Sequence, residues 1–330
     1  MNSFGRMFRV SVFGESHGAG VGLVLDGCPA GLVLAESDFT ADLDRRKSGG
    51  EGTSARREED RPAFLSGIFQ GRTTGAPLVL LFANADARPA DYDFVRRTPR
   101  PGHADWTARA KYGGFNDPRG SGAFSGRLTL PLVAAGVVAK AIIRPAAVEA
   151  RLEEAGGDPD ARAAAAKAAE NGDSIGGLIS CRIDSVPAGL GEPFFDSLES
   201  LIAHVAFSIP GVKGIEFGAG FRAARMRGSE HNDPISAPDG TTSSNHSGGV
   251  NGGISNGNPI LFRVAMKPAA SIACAQRTWD FAAGGMTELT VPGRHDACIA
   301  LRVPVVIEAA AAVVLADLML QQGKIPRVLG

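Results

Sequence analysis

Three short stretches carry side chains that can move protons. The first, "VFGESHGAGVGLVLDG" (12–27), sets Glu15, Ser16 and His17 in a row between two apolar runs, among Gly14, Gly18, Gly20 and Gly22. A glycine-rich turn lets backbone approach a ligand closely. Histidine titrates near neutral pH and suits acid–base work. The second, "RPGHADWTARAKYGG" (100–114), offers His103 and Asp105. Asp105 also reads as the N-cap of the helix that follows. The third, "PGRHDACI" (292–299), offers Arg294, His295, Asp296 and Cys298. An aspartate entering an apolar segment is costly to bury unpaired, so Asp296 is either compensated by Arg294 or a working base. His103 and Asp105 would also suit a metal, but no further ligands follow at a recognisable spacing.

Basic residues gather at Arg45, Arg46 and Lys47, at Arg56 and Arg57, and at Arg96, Arg97 and Arg100. Such runs form solvated faces, or they line one anion site, since arginine grips carboxylate and phosphate bidentately. "PRGSGAFSGRLT" (118–129) is a Gly/Ser loop entering a helix, the kind that cradles phosphate. It fails as a dinucleotide fingerprint, because Ser125 stands where the third glycine belongs. "SNHSGGVNGGISNGNP" (244–259) reads as a long Gly/Asn loop, on the surface or closing over a cofactor. "KPAASI" (267–272) offers a phosphate one lysine and one hydroxyl.

The elements that must position these groups come in two similar sets. "GLVLDGCPAGL" (22–32) has a counterpart in "GLISCRIDSVPAGL" (177–190), "FLSGIFQG" (64–71) in "VKGIEFGAG" (212–220), and "GAPLVLLFA" (75–83) in "GNPILFRVAM" (257–266). "PGHAD" (101–105) pairs with "PGRHD" (292–296), and "PLVAAGVVAKAII" (131–143) with "PVVIEAAAAVVLADLM" (304–319). The matches keep one order: strand, Pro-Ala-Gly-Leu, helix, two strands, Pro-Gly loop, apolar helix opened by proline. This predicts one domain over 1–330, built from repeat halves of about 1–150 and 173–322 around a pseudo-twofold. Its strands should pair largely antiparallel against buried helices. Asp196 with Glu199 reads as a capping box, and the Ala-rich stretch 159–170 as an exposed helix at the joint. The duplication sets the two Pro-Gly loops opposite each other on one cleft, an arrangement suited to proton transfer.

Composition bounds the rest. The chain has 330 residues, is 44% hydrophobic and carries a net charge of −1, enough for a sizeable core and unsuited to nucleic acid as main partner. Four cysteines without a C-x-x-C pair imply neither a disulfide framework nor a zinc knuckle. No signal-peptide pattern opens the chain, and no apolar run approaches the ~18 residues of a membrane span. A soluble cytoplasmic protein is expected.

"FGESHG", "DLDRR", "RPGHADWTARAKYGG", "FSGRLT", "VAAGVVAKAII", "SVPAGLGEP", "GGISNGNPI", "KPAASI" and "GRHDACI" together resemble the chorismate synthases and keep that family's order. The resemblance implies an α+β fold, a β-α-β sandwich with internal pseudo-twofold duplication, as a homotetramer. It implies conversion of 5-enolpyruvylshikimate 3-phosphate to chorismate by anti 1,4-elimination of phosphate, dependent on reduced FMN without net redox change. The reductant would be NADPH, used directly or through a separate flavin reductase. By the same resemblance His17 protonates the departing phosphate, His103 protonates reduced flavin, and Asp296 takes part in removing the ring proton. Substrate contacts fall on Ser16, Arg46, Arg56, Arg57, Arg100, Ser125, Arg127 and Arg294. Flavin contacts fall on Ala123, Phe124, Ser125, Gly252, Lys267, Pro268, Ala269, Ala270, Ser271 and Arg294. The alternative is a non-catalytic relative that binds flavin or an anion as a scaffold.

Overall fold

The computed structural model describes residues 2–48, 56, 58–86, 89–293 and 295–330, so Arg57 and Arg294 lie outside the described residues. The first half contributes strands β1 (Ser3–Phe4), β2 (Arg9–Gly14), β3 (Gly20–Asp26) and β4 (Ala63–Ser66). A small ribbon, β5 (Ile68–Phe69) and β6 (Arg72–Thr73), precedes β7 (Leu78–Ala83). The second half contributes β8 (Ala147–Ala155), β9 (Gly177–Asp184), β10 (Val212–Phe217) and β13 (Ile260–Met266), with two hairpins, β11 (Val250–Asn251) with β12 (Ile254–Ser255) and β14 (Gln276–Asp280) with β15 (Gly285–Leu289). The helices are α1 (Ser37–Arg46), α2 (Asp105–Tyr112), α3 (Thr129–Ile142), α4 (Ala161–Glu170), α5 (Leu198–Ser208), the four-residue α6 (Gly228–His231) and α7 (Pro304–Gln321).

Two sheets form, ordered β1-β2-β3-β7-β4 and β10-β13-β9-β8, and every named strand pair is antiparallel. Period-two patterning decides which faces are buried. Val21, Leu23 and Leu25 on β3 and Leu78, Leu80 and Phe82 on β7 are fully buried. On the second sheet Ile179, Cys181 and Ile183 of β9 and Ile260, Phe262, Val264 and Met266 of β13 do the same. Helix α3 packs on β3 and β2, α7 packs on β8 and β9, and the two helices pack on each other. A Cβ on Gly136 of α3 would stand 2.3 Å from the Ala309 Cβ of α7, so glycine here sets how closely the helices approach.

Helix α7 is long and apolar enough by length and composition to cross a membrane, as is the segment Arg119–Ile142 that ends in α3. The sequence expectation of no such run is corrected on that count. Both are core helices: Val305 to Leu320 of α7 are all buried. The two carboxylates of α7 are staples. Glu308 accepts from Arg45 at 2.7 and 2.8 Å, from the Lys140 ammonium at 2.6 Å and from the Ala150 amide at 3.0 Å. Asp317 accepts the amides of Arg6, Met7 and Phe8 at 2.6 to 3.0 Å, holding the turn that starts β2.

Two local expectations change. The cap of α5 is Ser197, whose hydroxyl accepts from the Ser200 amide at 3.1 Å, so the Asp196–Glu199 capping box does not form; Asp196 instead pairs with Arg6. Hydroxyl capping from the residue directly before the helix has the better reach. Residues 244–259 are no open loop, because Val250–Asn251 and Ile254–Ser255 pair as a tight hairpin across Gly252 and Gly253. The Ala-rich stretch does fold as helix α4, with the Asp160 carboxylate accepting from the Ala163 amide at 3.1 Å.

Candidate active site

One cleft of about 660 Å³ is lined from both halves of the chain. The C-terminus of α1 brings Arg46 and Lys47, and a 3₁₀ segment (Pro89–Arg96) brings Tyr92. The loop before α2 brings Arg100 and His103, and the loop before α3 brings Gly120, Ser121, Phe124, Ser125 and Arg127. From the second half come Ile209–Gly211, Lys267–Ser271, and His295, Asp296 and Ile299–Val306 in part. Both Pro-Gly loops therefore face one space. Among the described residues, seven basic side chains line it (Arg46, Lys47, Arg56, Arg100, Arg127, Lys267, Arg302) against three acidic ones (Glu58, Asp60, Asp296). A near-neutral chain thus keeps a locally cationic cavity, which selects small anions.

The buried anchors of this charge are specific. Asp60, with a side chain 1% exposed, bridges two cleft arginines: its Oδ2 accepts from Arg46 at 2.6 Å and its Oδ1 from Arg127. Burial works to raise the Asp60 carboxyl, but Arg46 and Arg127 outweigh it and hold it below the ordinary value. Burial pulls the Arg46 guanidinium down to about 10, and its Nε is buried with no partner. Arg127 Nε donates to Asn84 Oδ1 at 3.0 Å, while Asn84 Nδ2 donates to the carbonyls of Glu15 and Gly18 at 3.0 and 2.9 Å. Asn84 thereby fixes the "GESHG" turn against the arginine cluster. Arg56 donates to Ser16 Oγ at 2.9 Å and to the Ser16 carbonyl at 3.1 Å.

His17 does not itself line the cleft but adjoins three lining residues. It follows Ser16, its ring meets the Tyr92 ring edge-on at 5.1 Å, and its Nδ1 is buried without a partner against Gly120. Burial, Arg56 and Arg119, in that order, lower its pKa against the pull of Asp117 and Asp91. His103 is held on both ring nitrogens. Nδ1 lies 2.7 Å from Asp105 Oδ1 and Nε2 lies 3.1 Å from Ser121 Oγ. Asp105 is not the N-cap of α2: that position is Ala104, and the Asp105 carboxylate turns back to accept from the Arg100 amide and guanidinium at 2.8 to 3.1 Å. Burial works against its charge, yet the bonds from Arg100 and His103 hold its carboxyl far below the usual range. A buried guanidinium is a stronger partner than the exposed end of a short helix.

Asp296 pairs with Arg302, and His295 Nε2 lies 3.0 Å from the Pro292 carbonyl, its pKa lowered chiefly by burial. Lys267 donates to the Gly102 carbonyl at 2.8 Å and Ser271 Oγ accepts from Arg100 at 3.0 Å, so the "KPAASI" turn is tied to the His103 loop. Burial and Lys213 lower the Lys267 pKa.

Of the residues expected at the site, Ser16, Arg46, Arg56, Arg100, His103, Phe124, Ser125, Arg127, Lys267, Pro268, Ala269, Ala270, Ser271 and Asp296 line the cleft. Ala123 is exposed beside it. Gly252 sits at its hairpin turn, away from the lining, because that hairpin is docked on the start of α5 through the Gly253 carbonyl and the Leu198 amide. Among the three basic runs, only Arg46, Lys47, Arg56 and Arg100 of the described residues turn inward. Arg45 goes to Glu308, Arg97 to Asp280, and Arg96 is exposed. Sequence reasoning missed Asp60, Asn84, Tyr92, Ser121 and Arg302. Asp60 was hidden in the acidic run "REED", which reads as solvated surface.

A family model described as chorismate synthase matches residues 8–320. The chorismate synthase of Chitinophaga pinensis is 58% identical over 329 residues, covering 99% of both chains. That of Korarchaeum cryptofilum is 47% identical over 95% of this chain and 96% of its own. A crystal structure of a chorismate synthase superposes with a TM-score of 0.72 at 26% identity, covering 97% of this chain and 93% of the other.

Proposed function

The chain belongs to the chorismate synthase family, and on that footing we propose that its cleft eliminates phosphate from 5-enolpyruvylshikimate 3-phosphate to give chorismate. The observation that carries this reading is the meeting of Ser16, His103 and Asp296, from three distant segments, in one cleft with seven basic side chains. A substrate with one phosphate and two carboxylates needs that charge. In the elimination a ring C–H bond breaks, its electron pair becomes part of the new diene, and the C–O bond to phosphate breaks with its pair on oxygen. His17 serves the leaving oxygen as acid. In the free protein its neutral form is favoured; a phosphate dianion beside it restores the proton by the opposite Coulombic effect. Asp296 serves as base toward the ring hydrogen, held by Arg302.

The residues also fit reduced FMN. Phe124, Ile209, Ile299, Val303 and Val306 give a flat ring apolar walls, and the buried Nε of Arg46, without a partner among the described residues, is consistent with a site built for an anion. Lys267, Pro268, Ala269, Ala270, Ser271, Phe124 and Ser125 would hold it, with His103 beside it. When bound, FMN would supply transient electron density toward the departing phosphate without net redox change. His103 holds its transferable proton or lone pair at Nε2, because Asp105 occupies Nδ1.

We also infer an internal duplication: both sheets place their four main strands in the chain order first, second, fourth, third (β2-β3-β7-β4 and β8-β9-β13-β10), and three of the four equivalent strand pairs, β3 with β9, β4 with β10 and β7 with β13, carry the paired motifs, while β8 lies ahead of the second half expected at 173–322. A homotetramer in the cytoplasm is proposed with it, as is reduction of the flavin by NADPH or a separate reductase.

The test mixes the protein anaerobically with 5-enolpyruvylshikimate 3-phosphate and chemically reduced FMN, and follows chorismate absorbance and phosphate together. Both rise in step, with FMN at catalytic amounts. If neither rises while both ligands bind, the proposal fails and the scaffold reading replaces it.

A further inference from the structure

Ser121 lies in the Gly/Ser loop 118–129 but has no role in the proposed function, yet it touches the centre of the site. It sits between Gly120 and Gly122 in a run of three consecutive residues with positive φ (54°, 72° and 53°), and it is the one non-glycine of the three. A left-handed backbone penalises any L side chain, so a serine here has a local cost that glycine would avoid. Its Oγ lies 3.1 Å from His103 Nε2 and 3.2 Å from an Arg100 guanidinium nitrogen.

The directions of these bonds follow from chemistry. His103 Nδ1 lies 2.7 Å from Asp105 Oδ1 and 3.1 Å from an Arg100 guanidinium nitrogen whose two protons go to Asp105 Oδ1 at 2.8 Å and Ser121 Oγ at 3.2 Å; the carboxylate can only accept, so His103 carries its proton on Nδ1. Nε2 of the neutral ring is then an acceptor. Arg100 can only donate, so it takes a lone pair of Ser121 Oγ, and the single hydroxyl proton points to His103 Nε2. When Nε2 gains a proton, the same oxygen accepts from it and the hydroxyl turns away. A hydroxyl serves both states; a glycine serves neither.

The same loop reaches the other histidine. A Cβ on Gly120 would stand 2.0 Å from His17 Nδ1, and the Gly122 carbonyl accepts from the Ser16 amide at 3.1 Å. Three successive residues thus contact the surroundings of His17 on either side and His103 in the middle.

We propose that Ser121 is a positioning residue for His103, which holds the ring through both protonation states and sets its orientation in common with that of His17. The proposal rests on the reading of His103 as an acting group. Its test therefore includes a measurement that needs no turnover. Imidazole ¹⁵N spectra of the free protein, recorded at a pH where the ring is neutral, place a proton on Nδ1 of His103 and a hydrogen-bonded acceptor at Nε2. In Ser121→Gly the Nε2 resonance moves downfield toward that of a free acceptor nitrogen. This variant relieves the left-handed backbone, so it melts no lower than the parent. Its kcat falls roughly tenfold, the scale of one lost hydrogen bond, with KM unchanged. Ser121→Asn tolerates the left-handed backbone and supplies an N–H to Nε2, and it recovers kcat to within a few-fold of the parent. A Ser121→Gly variant with the parental Nε2 resonance and parental kcat overturns the proposal, as does Ser121→Asn no faster than Ser121→Gly. An inactive parent with the expected spectra would instead count against the elimination reading alone.

Discussion

Replacing Asp60 by asparagine tests whether the cationic cleft depends on one buried carboxylate. The side chains of Asp60, Arg46 and Arg127 are 1%, 7% and 4% exposed, so none of the three charges has much water. In Asp60→Asn the new side chain would still accept from one arginine through its carbonyl oxygen, but its amide would point N–H groups at the other. That leaves one buried guanidinium uncompensated, which costs about 3–5 kcal/mol. At roughly 2 °C per kcal/mol for a chain of this size, Tm falls by about 6–10 °C. Inorganic phosphate supplies the missing charge, so it raises Tm more in Asp60→Asn than in the parent; at a hundred times Kd that gain is about 2.7 kcal/mol. The assay is thermal unfolding by circular dichroism, with and without phosphate, at fixed ionic strength. The pH dependence has a definite sign. Because the folded carboxyl is depressed below the ordinary aspartate value of 3.8, its contribution is intact above about pH 4 and fades as pH falls below that. Asp60→Asn should therefore lose the part of the parent's acid-side transition that this carboxyl causes. A Tm within about 2 °C of the parent, with equal phosphate responses, would mean the two arginines are solvated and the argument from burial is wrong.

Three further outcomes are expected. Gly120→Ala drives a Cβ to 2.0 Å from His17 Nδ1 and 2.9 Å from Ser16 Oγ at a residue with φ of 54°; steady-state kinetics show kcat/KM down by at least roughly tenfold, and unchanged kinetics would show that the turn yields. Arg119→Gln removes a cation that lowers the His17 pKa and leaves Asp117, which raises it, without its 2.8 Å partner; an NMR titration finds His17 protonating at higher pH than in the parent, and a shift the other way contradicts the Coulombic assignment. Asp317→Ala strips the acceptor from the amides of Arg6, Met7 and Phe8; stability drops by roughly 3 kcal/mol, and the Phe8 amide exchanges faster with deuterium, unless the turn finds another acceptor.

What could be read in advance was what depends on residue type and near neighbours. The period-two pattern of "GLVLDG" and "PILFRVAM", the proline-led apolar runs that became α3 and α7, and the paired Pro-Gly loops all record local rules of packing and turning. The length of the "SGGVNGGISNG" segment misled, because two strands of two residues leave no periodicity to detect. Asp105 misled for a different reason: its position fits a cap, but Arg100 bends back beside it and offers more.

The sequence by itself determined which groups could act: histidines and aspartates in glycine turns, and more arginine than a neutral surface needs. Only the tertiary structure decided which of them meet. Arg45 and Arg46 are neighbours in the chain, yet one turns to Glu308 in the core and the other to Asp60 at the cleft. Arg100 and Ser271, 171 residues apart, share a hydrogen bond. Long-range partners like these are chosen by where two sheets and two apolar helices pack, and burying a charge is tolerable only where packing delivers its counter-charge. That delivery is a property of the fold, not of any stretch of sequence.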